Sequence, residues 1–397
     1  MPPRPLLPLL VALAAALPVA RAAEPPMADL IRDNFTYAGA QYSTMLTRLQ
    51  GDPLLPRTAA AGKTVTVEPE DWTSGFFPGA LWLIHEYTGE AKWKTAAEDY
   101  TGRLERIRHY TGNHDIGFML GCSYGQGLRL TGRADYRAVL LDGAQALATR
   151  YRPEVGLIRS WDFGPWQYPV IIDNMMNLEL LTWAAREGGD ARLRAIAISH
   201  ADQTLANHFR PDASCGHLVD YDPATGAVLK KQTWQGIADD SAWARGQAWA
   251  IYGYTVMYRE TRQPDYLAHA QRIARFILDH PRLPADKIPY WDFDARDIPA
   301  APRDTSAAAL ICSALIELSS FVEPAPAREY LAVAETQLRS LSSPAYRAPV
   351  GENGGFLLLH AVGQYPQGKE IDAPLAYGDY YFLEALQRYR AKLAAAK

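Results

Sequence analysis

Residues 240–256 read DSAWARGQAWAIYGYTV, and the way apolar side chains are spread along this run decides the fold. Trp243, Ala244, Ala248, Trp249, Ile251, Tyr252 and Tyr254 fall on nearly every side of a helical wheel, so no face is left for water. A helix that is apolar all round is a buried helix. Runs of the same kind start at Thr73 (TSGFFPGALWLIHEYTG), Asp115 (DIGFMLGCSYGQGLRLTG), Asp173 (DNMMNLELLTWAAREGG), Asp304 (DTSAAALICSALIELSS) and Asp379 (DYYFLEALQRYR). Each opens on Asp or Thr, whose short oxygen-bearing side chains suit the first position of a helix.

Between these runs lie more polar helical patterns, near 27–49, 91–109, 134–150, 192–208, 265–280 and 326–342. Short connections such as Tyr87-Thr88-Gly89-Glu90 and Leu130-Thr131-Gly132-Arg133 lead from a buried helix to an exposed one. Strand signal is nearly absent; only Lys63–Val67 alternates. Six buried helices alternating with six exposed ones predict an all-α fold, an (α/α)6 barrel in which six helical hairpins close a toroid. Length alone suggests two domains, but no low-complexity linker interrupts the repeat, so residues 24–397 read as one domain.

If the inner helices all run the same way, their N-termini gather at one mouth. The long connections 151–172, 209–239, 285–303 and 343–376 then line it. Free N–H groups and the positive end of the helix dipole favour an anion there. Trp72, Asp115 and Asp173 all fall at such starts.

The N-terminus carries Arg4, an apolar run from Leu6 to Ala20, and the small-x-small pattern Ala20-Arg21-Ala22. That is the pattern of a secretory signal peptide over 1–23 and implies export to a periplasm or the medium. The apolar run is short for a membrane span, and no later run is longer. Three cysteines, Cys122, Cys215 and Cys312, allow one disulfide at most, and a chain of this size needs none; they read as small core residues. Net charge is -4 with no basic run, which argues against a nucleic-acid partner. There is no HExxH or CxxC, and the nine histidines show no metal-ligand spacing. Ser123 in Gly121-Cys122-Ser123-Tyr124-Gly125 resembles a nucleophile elbow but lacks the strand such an elbow follows.

Chemistry concentrates in two places. From Trp234 to Trp249, three tryptophans, two glutamines and one arginine fall within sixteen residues. Indole faces stack on sugar rings, guanidinium forks a carboxylate, and amides exchange hydrogen bonds with hydroxyls. A Trp-rich core helix is the plainer reading of the same segment. The second place is the pair Asp115 (in Asn113-His114-Asp115-Ile116-Gly117) and Asp173 (in Ile171-Ile172-Asp173-Asn174-Met175). Each alone reads as a helix cap. Two carboxylates at one mouth are what glycoside cleavage commonly needs, and their proximity raises one pKa so that it holds a proton. A helix N-terminus opposes that shift, so burial must outweigh it.

The blocks HDIGF, IIDNMMNL and DDSAWARGQAW, within a likeness running from Trp72-Thr73-Ser74-Gly75-Phe76 to Gly378–Leu386, resemble the unsaturated glucuronyl hydrolases of glycoside hydrolase family 88. The resemblance implies an (α/α)6 barrel that needs no metal or organic cofactor. It implies a substrate that is a lyase-generated oligosaccharide ending in a 4,5-unsaturated uronate. It assigns Asp173 as general acid/base and Asp115 as the second essential aspartate, holding ring hydroxyls. His217, Gln235, Trp243, Arg245 and Trp249 match pocket residues, with Trp72 and Trp161 as aromatic walls. Some members that accept sulfated glycosaminoglycan fragments carry Ser-x-x-Ser-x-Lys near the last inner helix. Here the stretch is Gln364-Tyr365-Pro366-Gln367-Gly368-Lys369, which keeps Lys369 as a candidate substrate contact and replaces both serines. The competing readings are an unsaturated rhamnogalacturonyl hydrolase on the same barrel, a polysaccharide lyase on an α/α toroid, and a non-catalytic carbohydrate-binding toroid.

Overall fold

The first inner and outer helices are joined at Gly89, whose φ of 70° ends one helix in the left-handed region. Glycine takes that conformation without a Cβ penalty, and the chain turns back within three residues. The same device repeats along the chain and sets its architecture. The computed structural model describes Met1 and residues 24–395; the expected signal peptide lies outside the described residues, Met1 aside.

Twelve α-helices are present among the described residues: α1 (Met27–Arg48), α2 (Phe76–Thr88), α3 (Ala91–Gly102), α4 (Gln126–Thr131), α5 (Ala134–Ala148), α6 (Leu178–Gly188), α7 (Ala191–His208), α8 (Ala244–Thr261), α9 (Pro264–Asp279), α10 (Thr305–Leu318), α11 (Pro324–Leu341) and α12 (Ala376–Ala395). The even-numbered helices form a closed inner ring. α10 packs between α8 and α12, α12 packs on α2, and α2 packs on the segment leading into α4; that segment meets α6, and α6 meets α8. The odd-numbered helices flank this ring as the outer layer. This is the (α/α)6 toroid.

Burial follows the sequence pattern. On α9 only Tyr266, His269, Ala270, Ile273, Ala274 and Ile277 are buried, a single stripe at helical spacing. On α10 every residue from Thr305 to Ile316 is buried. Its run Ala307–Ala309 lets the neighbouring helices approach closely, while Leu310, Ile311 and Leu315 fill the gaps. Each such aliphatic side chain contributes about 1.5–3 kcal/mol by leaving water. Cys122, Cys215 and Cys312 are buried free thiols, consistent with core roles.

The helix starts depart from expectation in an informative way. Asp304 does cap α10, accepting from the amides of Ser306 (3.0 Å) and Ala307 (3.3 Å). Asp240 caps nothing; it is exposed, and α8 begins at Ala244. Residues 242–244 are drawn out by backbone bonds to Trp291 and Phe293, and extended chain cannot also be helix. Thr73 sits in a turn held by the Asp71 carboxylate, with α2 starting three residues later. Asp379 lies inside α12 and accepts from the amides of Leu357 and Leu358 and from the Tyr42 hydroxyl. The run after Asp115 begins as a π-helix over Gly117–Gly125 before becoming α4. The run after Asp173 begins as a 3-10 turn over Ile172–Asn177.

Nine short strands also form among the described residues, against the single expected one. They are β1 (Leu55–Ala60) with β2 (Lys63–Val67), β3 (Tyr151–Arg152) with β4 (Leu157–Ile158), the three-stranded sheet β5 (Pro169–Ile171), β6 (Leu218–Tyr221), β7 (Val228–Gln232), and β8 (Ala361–Gln364) with β9 (Lys369–Ala373). Several escape pattern reading because they do not alternate: β5 and β6 are buried throughout, and β7 is almost wholly exposed. All but β1 and β2 lie in the long connections expected at the mouth.

Candidate active site

The register of β5 on β6 builds the centre. Ile171 pairs with Leu218, and the Ile172 amide donates to the His217 carbonyl at 3.0 Å. The residues that follow on one strand and precede on the other, Asp173 and His217, are thereby set side by side. His217 Nε2 lies 3.8 Å from Asp173 Oδ2. The amides of Trp234 (2.9 Å) and Gln235 (3.3 Å) both donate to His217 Nδ1. The ring hydrogen is therefore on Nε2, pointing at Asp173. Burial, with His208 and Arg245 nearby, lowers the His217 pKa to about 3, so the imidazole is neutral.

Asp173 itself is buried, and Oδ2 has no hydrogen-bond partner. Burial pushes its pKa up to about 7, against the opposing pull of Arg245, its own backbone amide and the Trp249 indole. Desolvation thus outweighs the favourable charges, the balance the sequence left open. Asp115 is close enough to be raised by the charge of Asp173 and of Asp71, after burial as the main cause; Arg150 opposes. Two carboxyls in one poorly solvated pocket do not both ionise cheaply. Neither aspartate caps its helix through its side chain.

Aromatic rings close the pocket. Trp249 is fully buried against Phe118, Tyr377 and Tyr381, with its indole N–H unpartnered. Trp72 packs on Phe118 and Tyr377, and Trp243 meets His217 edge to face at 5.0 Å. The unpartnered polar atoms Asp173 Oδ2, His217 Nε2, Trp249 Nε1, Gln235 Oε1 and the Tyr377 hydroxyl are a mixed set of donors and acceptors. Buried polar groups are ordinarily bonded; this set suits a hydroxyl-rich ligand.

Arg245, matched by the resemblance to a pocket residue, is held by several groups of the protein itself. Its Nη1 donates to Asp304 Oδ2 (3.2 Å) and to the Val362 carbonyl, and its Nη2 donates to the Gly363 carbonyl (2.6 Å). The guanidinium also lies over the rings of Trp243 and Tyr377. Only Nε is unpartnered. Arg245 is built into the wall, where a buried cation must be neutralised and bonded; its Nη1 hydrogens are both engaged, while Nε and one Nη2 hydrogen remain available to a ligand.

Trp161 lies at the rim with Ile171 and Leu218, stacked on exposed Phe163 at 4.9 Å and contacting Trp166. Lys369 is exposed at the start of β9, with no ion pair among the described residues. Gln367 does reach the site's edge: its Nε2 donates to the Trp234 carbonyl at 2.7 Å. Several residues were not singled out from the sequence. Tyr377, at the start of α12, could have been found by the helix-start rule that found Trp72. Asn177, Arg150 and the Arg57–Glu370–Asp71 group carry no local signal.

Among the described residues, no group of three or more His, Cys, Asp or Glu side chains is arranged to hold a metal ion, and no helix is long and apolar enough to cross a membrane. A buried acid poised near neutrality, a neutral histidine beside it and an aromatic cage can move a proton to and from a sugar.

Residues 57–396 match the family model of Glycosyl Hydrolase Family 88. The chain is 46% identical over 362 residues to an unsaturated glucuronyl hydrolase of Formosa agariphila, covering 88% of this chain and 90% of that one. It is 36% identical to an unsaturated chondroitin disaccharide hydrolase of Streptococcus agalactiae, covering 80% and 81%. The crystal structure of an unsaturated glucuronyl hydrolase specific for heparin superposes with a TM-score of 0.89 at 45% identity, over 92% of this chain and 98% of that one.

Proposed function

The chain belongs to glycoside hydrolase family 88, and from that membership we propose that it removes a 4,5-unsaturated uronate from the non-reducing end of oligosaccharides, with Asp173 as general acid and base. The observation that carries the reading is the state of Asp173: buried, poised near pH 7, with one oxygen unpartnered and a neutral N–H at its side. A carboxyl with a pKa near the working pH both gives and takes a proton efficiently.

The chemistry needs one such group. Protonated Asp173 delivers its proton to C4, and the C4=C5 electron pair forms the new C–H bond. Positive charge develops at C5, shared with the ring oxygen. Water adds at C5 and gives its proton to the Asp173 carboxylate, restoring the acid. The hemiketal then opens, releasing the leaving sugar and a keto acid. Asp115 holds the ring hydroxyls, Gln235 and the Trp249 indole supply amide and N–H contacts, and Trp72 and Trp243 wall the ring. The neutral His217 N–H steadies the Asp173 carboxylate between the two steps.

Of the similar proteins, one is a chondroitin disaccharide hydrolase and one is specific for heparin, so unsaturated disaccharides from those two digests are the first to supply. Turnover removes the conjugated double bond, and absorbance near the ultraviolet edge falls with time. In heavy water, deuterium appears at C4 of the released keto acid. A saturated glucuronide with the same leaving group stays intact, because it has nothing to protonate at C4. Efficient cleavage of that saturated substrate without label at C4 overturns the reading in favour of displacement by two carboxylates.

A further inference from the structure

One side chain touches the chain on both sides of Asp115. Asn177 closes the turn that carries Asp173, and its Oδ1 accepts from the Phe118 amide at 2.9 Å. An amide N–H can only donate, so that bond fixes which end of the Asn177 carboxamide is oxygen. Its Nδ2 is left facing His114 Nδ1 at 3.4 Å. With Asn177 Nδ2 as donor, His114 accepts on Nδ1 and carries its hydrogen on Nε2, which lies 3.4 Å from Asp115 Oδ1, and the Asn174 carboxamide also bears on this ring. The His114 amide is separately tied to the Ser160 carbonyl, so the ring cannot drift along the chain.

The fit around Asn177 is close. A Cβ at Gly117 would sit 2.5 Å from Asn177 Oδ1 and 2.6 Å from its Cα, so only glycine lets the two turns meet. The His114 ring is buried. A reversed tautomer would set the ring N–H at Nδ1 against the Asn177 amino group, two donors facing each other.

We propose that Asn177 is a positioning residue that holds Asp115 through His114. It fixes the His114 tautomer, which makes Asp115 Oδ1 the acceptor and leaves Oδ2 as the oxygen that serves the substrate. Because Asn177 sits on the Asp173 turn, one carboxamide also keeps the two aspartates in register. The functional consequence rests on the reading of the site given above; the tautomer does not.

The test uses the full-length enzyme and two variants. Long-range nitrogen–proton NMR of the wild-type protein at pH 7, with His114 assigned by loss of its signals in His114→Gln, should show the Nε2–H form. Asn177→Asp keeps the acceptor for Phe118 at the same size but cannot donate to His114 Nδ1, so the ring hydrogen should move to Nδ1. For kinetics with an unsaturated disaccharide, Asn177→Asp should lose tenfold or more in kcat/KM and fall at or below Asn177→Ala. A purely structural role gives the opposite ranking, since the aspartate preserves shape and the Phe118 bond. An Nδ1–H tautomer in the wild-type protein overturns the proposal whether or not the variants fold, as does near-wild-type kcat/KM in folded Asn177→Asp. If the wild-type enzyme turns over no unsaturated substrate, the functional reading fails while the tautomer result still stands by itself.

Discussion

Among the described residues His217 Nε2 has no hydrogen-bond partner, yet its N–H is aimed at Asp173 Oδ2 from 3.8 Å. Two backbone amides hold the opposite ring nitrogen, so the imidazole is oriented by main chain, which no side-chain substitution nearby can remove. The gap is wider than a hydrogen bond and closes with a small movement or with a substrate atom between them. A neutral donor in this place steadies a carboxylate without the strong stabilisation an imidazolium would give. Asp173 therefore keeps its affinity for a proton.

Asp173→Asn removes the acidic proton and little else. Turnover of an unsaturated disaccharide should fall about a hundredfold or more, the scale usual for general acid–base groups. The variant should also be the more stable protein at pH 8. Burial raises the native pKa of Asp173 from 3.8 to about 7. Between those values the native state binds a proton that the unfolded state has lost, so wild-type stability declines as pH rises through the window. The asparagine variant's advantage should grow from about pH 4 to about pH 7, reach at most about 4 kcal/mol, and then level off. Denaturant midpoints of both proteins at pH 5 and pH 8 measure it; a gap that shrinks with rising pH would contradict the assignment.

The rate should follow the same titration. With Asp173 as the donor, kcat/KM should decline above pH about 7, where its proton is lost. His217, lowered to about 3, stays neutral over this range and contributes no limb. A profile flat from pH 6 to pH 9 would remove Asp173 from the acid role.

Arg245 and Gln235 should separate structure from binding. Arg245→Met leaves buried Asp304 without its cation and two carbonyls without donors, at a cost of about 3–5 kcal/mol in stability. Gln235→Ala keeps the main-chain bond to His217 and loses only the side-chain amide, so it should fold normally and raise KM about tenfold. Thermal melts beside Michaelis curves decide between the two roles; a stable Arg245→Met with a raised KM would assign the uronate carboxylate to Arg245.

Phe163 covers one face of Trp161 and exposes its own outer face at the rim. Replacing it with alanine should raise KM for an unsaturated tetrasaccharide severalfold, the worth of one stacking contact of about 0.5–1.5 kcal/mol, and leave disaccharide kinetics unchanged. Equal effects on both substrates would place the ring against the first leaving sugar instead.

The helical hairpins were legible in the sequence because burial leaves a one-dimensional trace. A helix that is apolar all round, followed by Thr-Gly and a single apolar stripe, as at 76–102, can be read without knowing its neighbours. The same trace located Trp72, Asp115 and Asp173, since they precede such runs, and the family resemblance added His217 and Gln235. What remained hidden is what depends on partners distant in the chain. The pairing of Arg245 with Asp304 and with the carbonyls of residues 362 and 363, the latter about 118 positions away, left no local trace. The tautomer of His217 was decided by two amides of the 234–235 turn, and that of His114 by Asn177, 63 positions on. The start of α8 moved four residues because a neighbouring loop claimed its backbone. Patterning encodes which surfaces leave water, and that suffices for the barrel; hydrogen bonding is directional and pairwise, so the protonation and orientation of each site group exist only once the ring of helices has closed.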